Sequence, residues 1–558
     1  MPETDSKADR AAEWQADYAR TADKAPRCNR SGIVLKPLYT PSDWNGNGYD
    51  EELGYPGQEP YTRGIYPAMY RGREWSRRML IGLGTPEDFN RRQKEMLATG
   101  TTAVNFIPCN SVFRGYDIDE VDPLLVGTCG TAVNTLEDLR IAMDGIELGD
   151  VSLGMNDPSP FTLLALILVL AKERGTPWEQ LSGTSNQADF ISHFVSNHMF
   201  FRLSLEGSRR VLLDHIAFTT KYMPRWNPLS IVGQHMQQAG ATPAQALGFA
   251  LSSALYYVDL CVQAGMEVDS FVRHFTFFFD ISMSFFEEVA KFRAGRRLWA
   301  RLLKERFGIR NPANLRFKFH AQTSGVDLTR QQPLNNIARV AVQGLAAILG
   351  GTQSLHTDAY DEAFATPSPE TARIAIQTQN ILSEESGVAD VIDPLGGSYY
   401  IEALTDEMEQ KARETISRVD QLGGMFEAAR TGYIQSEIGK SANQFPQRIE
   451  QSQQIVVGVN KYQLSEEKYG TRPPQRPDPD LIAAQYERLR RYKAQRCQTS
   501  LHNALDYLAR ATDDTKINLY EALVKAAQAG ATHGEMVKTL RTELGFGQPS
   551  CDAAAGML

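Results

Sequence analysis

The chain divides into three stretches by how its apolar positions recur. Over the first 60 or so residues polar, Gly, Pro and Tyr positions dominate (DWNGNGYDEELGYPGQEPY) with little periodicity, which predicts an extended arm laid over something larger. From about Met79, short runs of strand character alternate with longer helical ones. The strand candidates are MLIGL from Met79, TAVNFIP from Thr102, VSLGMN from Val151, LSGTSN from Leu181, LSIVGQH from Leu229, HFTFFFD from His274, LRFKFHAQ from Leu315 and TQSLHT from Thr352. Between the sixth and seventh, Phe285, Val289, Phe292, Arg296, Trp299 and Leu302 recur at three- and four-residue steps, one apolar stripe of a helix. After Ala365 amphipathic helical patterns take over. They are broken by DPLGGSYY (Asp393 to Tyr400) and by the Pro-rich TRPPQRPDPD (Thr471 to Asp480), and end in CDAAAGML.

Eight strand signals separated by helices predict an α/β fold, a (β/α)8 TIM barrel with an N-terminal extended arm and a C-terminal helical region; a doubly wound parallel sheet shares the same rhythm. The divisions expected are an arm over 1–60, a barrel over 61–365, a helical region packed on it over 366–470, and a Pro-rich linker with a helical segment over 471–558. Barrel interiors are ordinarily filled by Val, Ile and Leu. Here the strand segments carry Asn105, Ser182, Thr184, Ser230, Gln234, His235, Thr276, His320, Gln322, Ser354 and His356. Either these cluster at the strands' C-terminal ends, where a barrel enzyme keeps its site, or the lumen is polar enough to pass a ligand chain.

Composition narrows the classes. The 558 residues carry 58 basic and 67 acidic side chains, net −9, so no basic surplus points to nucleic acid. The run Phe161 to Ala171 (FTLLALILVLA) falls short of the ~18 residues of a membrane span and predicts a buried core helix. Six scattered cysteines predict reduced thiols, and the charged MPETDSKADR start shows no apolar signal-peptide core, so the expected compartment is cytoplasmic. Generic motifs are missing: no GxGxxG, P-loop, GxSxG or HExxH occurs, and His193 and His198, five apart, do not share a helix face. No metal site is expected. His235, His320 and His356 fall at predicted strand ends, as candidate catalysts or as hydrogen-bonded core residues. Arg71, Arg73, Arg77 and Arg78 form either an anion cradle or a solvated basic face.

Longer segments carry a resemblance. TRGIYPAMYRGREW (Thr62 to Trp75), RGYD (Arg114 to Asp117), PRWNPLSIVGQHMQQAGA (Pro224 to Ala241) and FFEEVAKFRAGRRLWA (Phe285 to Ala300) resemble the adenosylcobalamin-dependent acyl-CoA mutases. So do HAQTSG (His320 to Gly325), TQSLHTDAYDEA (Thr352 to Ala363) and EESGVADVIDPLGGSYY (Glu384 to Tyr400). That family includes methylmalonyl-CoA, isobutyryl-CoA, ethylmalonyl-CoA and 2-hydroxyisobutyryl-CoA mutases.

The resemblance implies a barrel whose lumen is threaded by the pantetheine arm of coenzyme A, with adenosylcobalamin between the barrel's C-terminal face and a separate cobalamin-binding domain. A radical from the cofactor removes a substrate hydrogen, and the thioester carbonyl group migrates to the neighbouring carbon. By the same resemblance His235 bonds the thioester carbonyl as the catalytic acid, with Gln187 and Asn227 on the thioester and pantetheine amides. Tyr66, Met69, Arg73, Ser76, Arg78, His274 and Thr276 meet coenzyme A, and Leu80, Asn105, Ile107, Asn197, Gln234 and Gln322 surround the acyl group. Pro108, Asn110, Gln238, Gly325, Glu362 and Ala363 meet adenosylcobalamin.

No DxHxxG cobalt-ligating motif occurs, since His533 in GATHGEM lacks the Asp and Gly. The expectation is therefore a large subunit that needs a small cobalamin-binding subunit, in an α2β2 heterotetramer, with a G-protein chaperone as a further partner and neither nucleic acid nor membrane. Three departures bear on substrate. Leu80 replaces the methylmalonyl enzyme's Tyr, uncharged Ser196 or Asn197 stands where its carboxylate-clamping Arg would be, and Gln234 replaces the Tyr before the active-site His. The expected substrate is a small monocarboxylic acyl-CoA, first 2-hydroxyisobutyryl-CoA (to and from 3-hydroxybutyryl-CoA), then isobutyryl- or pivalyl-CoA, and less so methylmalonyl-CoA. Against the first stands FIPCNSVF (Phe106 to Phe113), where Ile107 replaces the hydroxyacyl enzyme's Asp and Asn105, Cys109 and Asn110 are the remaining polar candidates. A non-catalytic acyl-CoA-binding or scaffold subunit is the alternative of a different class.

Overall fold

The structure, a computed structural model, describes residues 16, 20, 27–40, 43–44, 49–80, 82, 84–197, 202–464 and 476–546. The expected tail CDAAAGML, most of the first 26 residues and His198 lie outside them.

Seven of the eight expected strands are found, and the eighth lies just before its expected run. Ser76–Arg78, Ser354–His356, Phe319–Thr323, Phe275–Ile281 and Leu229–Val232 form one five-stranded sheet in that spatial order. Ala103–Phe106, Ser152–Met155, Ser182–Ser185 and Trp226–Asn227 form a second, four-stranded sheet. Every pairing within the two sheets is parallel. Two points link the sheets. Thr102 N donates to Arg77 O at 3.0 Å, and Asn227 and Leu229 are separated only by Pro228, which has no N–H to give a ladder.

Alternation along the strands assigns their faces. In Phe275–Ile281 the rings of Phe277 and Phe279 point to the helices, with Phe277 stacked 4.2 Å from Phe317 and set edge-on to Trp299 at 5.3 Å. Thr276, Phe278 and Asp280 take the opposite face. The Phe278 ring meets His320 at 4.8 Å, and the ladder pairs Asp280 with Gln322.

The expected helix at Phe285 runs Phe285–Phe307. Its stripe is apolar except for Arg296, whose guanidinium is buried and donates to the main-chain oxygens of Tyr61, Thr62 and Gly350. Arg293 ion-pairs with Asp393 and Glu402, and Arg297 with Glu52, Asp406 and Glu409. The Arg-rich FRAGRRLWA segment and the DPLGGSYY turn are thus two halves of one strut, which fixes the long Tyr399–Gln421 helix to the strand-bearing part of the chain. Thr162–Glu173 is the expected core helix, buried from Thr162 to Ala171. Pro243–Gln263 is a second apolar helix, long enough by length and composition to cross a membrane, yet 72% of its most apolar window is buried inside the protein.

Two expectations are corrected. The strand predicted from Met79 is Ser76–Arg78, so the Arg pair belongs to the strand and Leu80 follows it. Gln234 and His235, predicted at a strand end, stand instead on the short helix Gly233–Gln238: the strand stops at Val232, and the ring is presented from a helix.

Candidate functional site

A cavity of about 660 Å³ runs between the two sheets. Its polar lining comes from the strands themselves: Ser76 and Arg78, Ser152, Thr184, Asn227, Ser230, Thr276, His320 and Ser354. The polar residues read from the sequence are therefore not confined to strand ends. They line a channel, and small hydroxyls keep it open where a barrel would ordinarily be filled.

The end of the channel at the strands' N-termini is basic. Tyr66, Met69 and Arg73 form one lip, and Arg316 stacks over the Tyr66 ring at 5.3 Å. Lys318 lines the opposite side and donates to Asn227 Oδ1 at 3.5 Å; burial, with Arg273 and Arg316 beside it, lowers its pKa to about 8. His274 accepts from Arg273 Nε at 2.9 Å, and burial with the Lys318 and Arg273 charges brings its pKa down to about 4, so it is neutral near pH 7. Of the four clustered arginines, Arg77 pairs with Glu74 and Glu384 and Arg71 donates to Asp390 O, which leaves Arg73 and Arg78 facing the channel.

Arg78 is unusual. Its guanidinium donates to Asn105 Oδ1 at 2.9 Å and Ser152 Oγ at 3.0 Å, both neutral, and burial lowers its pKa to about 10. A half-buried cation held, among the described residues, by neutral oxygens keeps part of its desolvation cost. Such a group favours an anionic or carbonyl-bearing ligand.

The other expected site residues gather at the strands' C-terminal ends. His235 is 2% exposed, with Nδ1 3.2 Å from Ser192 Oγ and its ring edge-on to His193 at 4.7 Å. Gln187, on the turn after Ser182–Ser185, is buried, and its Oε1 has no hydrogen-bond partner among the described residues. Gln322 donates to Asp358 Oδ1 at 3.4 Å, which is also 3.2 Å from His356 Nε2. Leu80 N donates to His356 Nδ1 at 3.4 Å, placing Leu80 beside the same group. Asn197 is exposed, in left-handed backbone (φ +47°) just past the Phe190–Val195 helix.

The FIPCNSVF polar candidates are all committed internally. Asn105 holds Arg78 and also donates to Met79 O, Cys109 Sγ meets Ser111 Oγ at 2.7 Å, and Asn110 Oδ1 accepts from Arg114 at 3.1 Å. None stands in for the missing Asp at Ile107. Pro108 bridges to Thr131, so this segment is stitched to the next loop.

Gly325 and Glu362 converge. A Cβ on Gly325 would lie 3.5 Å from Asp358 Oδ2 and 3.8 Å from Glu362 Cγ, and Ala363 is exposed next to Glu362. Gln238 Nε2 donates to Asp280 Oδ1 at 3.0 Å. Asp280 is fully buried, and that burial drives its carboxyl well above the usual carboxylate range. Asp280 Oδ2 and Asp358 Oδ2 are buried without a hydrogen-bond partner among the described residues. These oxygens beside Gln238 and Gly325 suit a hydroxyl-bearing group such as a ribose.

Sequence reasoning missed Lys318, Ser192 and Asp280. Lys318 and Asp280 sit on strand flanks read only as apolar runs, and Ser192 carries no motif; only strand parity and helix packing locate them.

The structure is a parallel α/β protein with a polar, strand-lined channel that is basic at one end. The chain belongs to the methylmalonyl-CoA mutase family, whose description matches residues 28–546. It is 40% identical over 495 residues to the 2-hydroxyisobutanoyl-CoA mutase large subunit of Aquincola tertiaricarbonis, covering 88% of this chain and 87% of that one. It is 39% identical over 545 residues to methylmalonyl-CoA mutase of Rhizobium meliloti (strain 1021), covering 95% of this chain and 75% of the relative. The human mitochondrial methylmalonyl-CoA mutase is 38% identical over 518 residues, covering 92% and 68%. The chain is accordingly an acyl-CoA mutase-type isomerase by family, and relatives named for two different substrates resemble it about equally.

Proposed function

We propose that this chain is the catalytic large subunit of a coenzyme B12-dependent mutase acting on a small monocarboxylic acyl-CoA. The observation that carries the reading is the strand-lined polar channel with its basic mouth. On this reading the two sheets are arcs of one (β/α)8 barrel within 61–365, joined at Thr102–Arg77 and at Pro228. The arm and the later helices wrap it in the cytoplasm.

The chain's own residues would work as follows. Arg73, Lys318 and Arg316 hold the coenzyme A phosphates at the mouth; bidentate and point-charge cations both suit phosphate. Tyr66, Met69, Ser76, Asn227, His274 and Thr276 follow the pantetheine arm, and Arg78 meets its polar atoms. His235 and Gln187 hydrogen-bond the thioester carbonyl, and the buried His235 position keeps water from it. Leu80, Asn105, Ile107, Asn197, Gln234 and Gln322 shape the acyl pocket. Adenosylcobalamin, when bound, supplies the radical chemistry that begins hydrogen abstraction. Pro108, Asn110, Gln238, Gly325, Glu362 and Ala363 would hold it on this side. A small cobalamin-binding subunit is the proposed partner, in an α2β2 assembly with a G-protein chaperone in attendance; similarity to a relative named as a large subunit supports this.

Substrate charge follows from the arginines. Ser196 and Asn197 are uncharged, and the next guanidinium, Arg202, is buried in an ion pair with Asp157 (0% and 1% exposed). A second carboxylate on the acyl group would lack a bidentate partner. The best reading is 2-hydroxyisobutyryl-CoA to and from 3-hydroxybutyryl-CoA, favoured by aliphatic Leu80. Isobutyryl- or pivalyl-CoA is the second reading, favoured by the internally committed Asn105, Cys109 and Asn110. Reconstitution with a small cobalamin-binding subunit and adenosylcobalamin, followed over a panel of acyl-CoAs, tests this. Faster turnover of methylmalonyl-CoA than of every monocarboxylic thioester would overturn it.

A further inference from the structure

His235 is held on one side by a serine, and the direction of that hydrogen bond decides what the ring can do. The Gly233–Gln238 helix packs on Phe190–Val195, which brings Ser192 Oγ to 3.2 Å from His235 Nδ1. The same Oγ is 2.9 Å from the main-chain oxygen of Asp189. A carbonyl only accepts, and two oxygens at that distance with no proton between them would oppose their lone pairs. The single Ser192 proton therefore lies toward Asp189. Oγ meets His235 through a lone pair, and Nδ1 carries the hydrogen. In the neutral ring Nε2 is then an acceptor with nothing to donate.

We propose that Ser192 is a positioning residue that fixes His235 as its Nδ1–H form, so that the ring donates to the substrate's thioester carbonyl only as an imidazolium. This rests on the acyl-CoA reading of the site. No covalent bond is made or broken at the ring: Nε2–H hydrogen-bonds the carbonyl oxygen while that group migrates.

The ionisable surroundings support a ring whose own proton is decisive. From the Phe190–Val195 side come the edge-on His193 and the Asp189 carboxyl. The latter accepts from Ser192 N at 3.2 Å, Val232 N at 2.9 Å and Tyr257 OH at 2.6 Å. From Phe285–Phe307, Lys291 and Glu288 pair with each other fully buried and clasp Gln237, two residues beyond His235. From Phe275–Ile281 comes Asp280, through Gln238. Each of these carboxylates has a donor of its own among the described residues.

The test has a spectroscopic and a kinetic arm. The full chain is labelled with 15N-histidine, and the His235 signals are assigned by their loss in His235→Ala. Wild type should show a protonated Nδ1 and a bare Nε2 at high pH, and Ser192→Ala should shift the neutral ring toward Nε2–H. In the reconstituted enzyme, wild-type kcat/KM should fall about tenfold per pH unit above the ring's titration, as for one essential proton. Ser192→Ala should lose less than about twofold over the same unit, because its neutral ring can donate. Ser192→Thr, which keeps the hydroxyl, should restore both the tautomer and the pH slope. A bare Nδ1 in wild type, or a Ser192→Ala profile as steep as wild type, overturns the proposal. If no acyl-CoA is turned over, the mutase reading has failed, and the nitrogen signals still decide the tautomer.

Discussion

Arg78 Nη1 donates to Asn105 Oδ1 at 2.9 Å, so a half-buried guanidinium in the channel wall is held by an amide and a serine hydroxyl rather than by a carboxylate. Arg296 shows that a guanidinium held by neutral oxygens can be structural, but three main-chain carbonyls fix it, whereas Arg78 lines the channel. Replacing Arg78 with Met should weaken acyl-CoA binding to the chain by tenfold or more, about 1.4 kcal/mol or above. It should leave the melting temperature unchanged or raised, because a half-buried charge without a counter-charge is removed. Calorimetric titration and a thermal melt read the two effects separately. A lower Tm with unaltered affinity would make Arg78 a structural group.

Lys318 gives the channel mouth a pH dependence. Its pKa is lowered to about 8, so without ligand the ammonium loses its proton as pH rises from 7 to 9. An anionic ligand favours the charged form, so affinity for coenzyme A should decline across that window. Arg at this position stays protonated throughout. Lys318→Arg should therefore flatten the dependence, measured as Kd for coenzyme A at pH 7, 8 and 9 at fixed ionic strength. Equal slopes in both proteins would remove Lys318 from the phosphate site.

The arginine strut makes a stability prediction. Arg293 is buried between Asp393 and Glu402; removing it leaves Glu402 without a cation, while Asp393 keeps Arg63. Arg293→Ala should cost about 3–5 kcal/mol, the range for breaking a buried pair from one side. Chemical denaturation reads this as a lower midpoint. A loss of under about 1 kcal/mol would mean that the carboxylates relax into solvent or take up protons.

Much of this architecture was legible in the chain because strand and helix periods differ. Seven of the strands follow from short runs of strand character, and the channel from hydroxyl and amide residues placed among them, such as Thr184, Ser230 and Ser354. The MLIGL run misled by three residues because Arg77 and Arg78 disguise a strand whose inward position is charged. The run LSIVGQH reads as one strand, but the strand stops short of Gly233, where the Gly233–Gln238 helix begins. Lys318 and Asp280 were unreadable, since each lies beside Phe-rich runs and only strand parity shows which face it takes. The Asp at Ile107 had three apparent substitutes in sequence, and each is engaged elsewhere: Asn105 by Arg78 and Met79, Cys109 by Ser111, and Asn110 by Arg114.

A crystal structure of the chain with a hydrolysis-resistant monocarboxylic acyl-CoA analogue shows directly whether the strand-lined cavity takes acyl-CoA. Phosphates are expected at Arg73 and Lys318, the pantetheine arm between Ser230 and Ser354, and the carbonyl oxygen against His235. Ligand bound outside the channel, or threaded with its acyl group toward Lys318, would contradict the acyl-CoA reading.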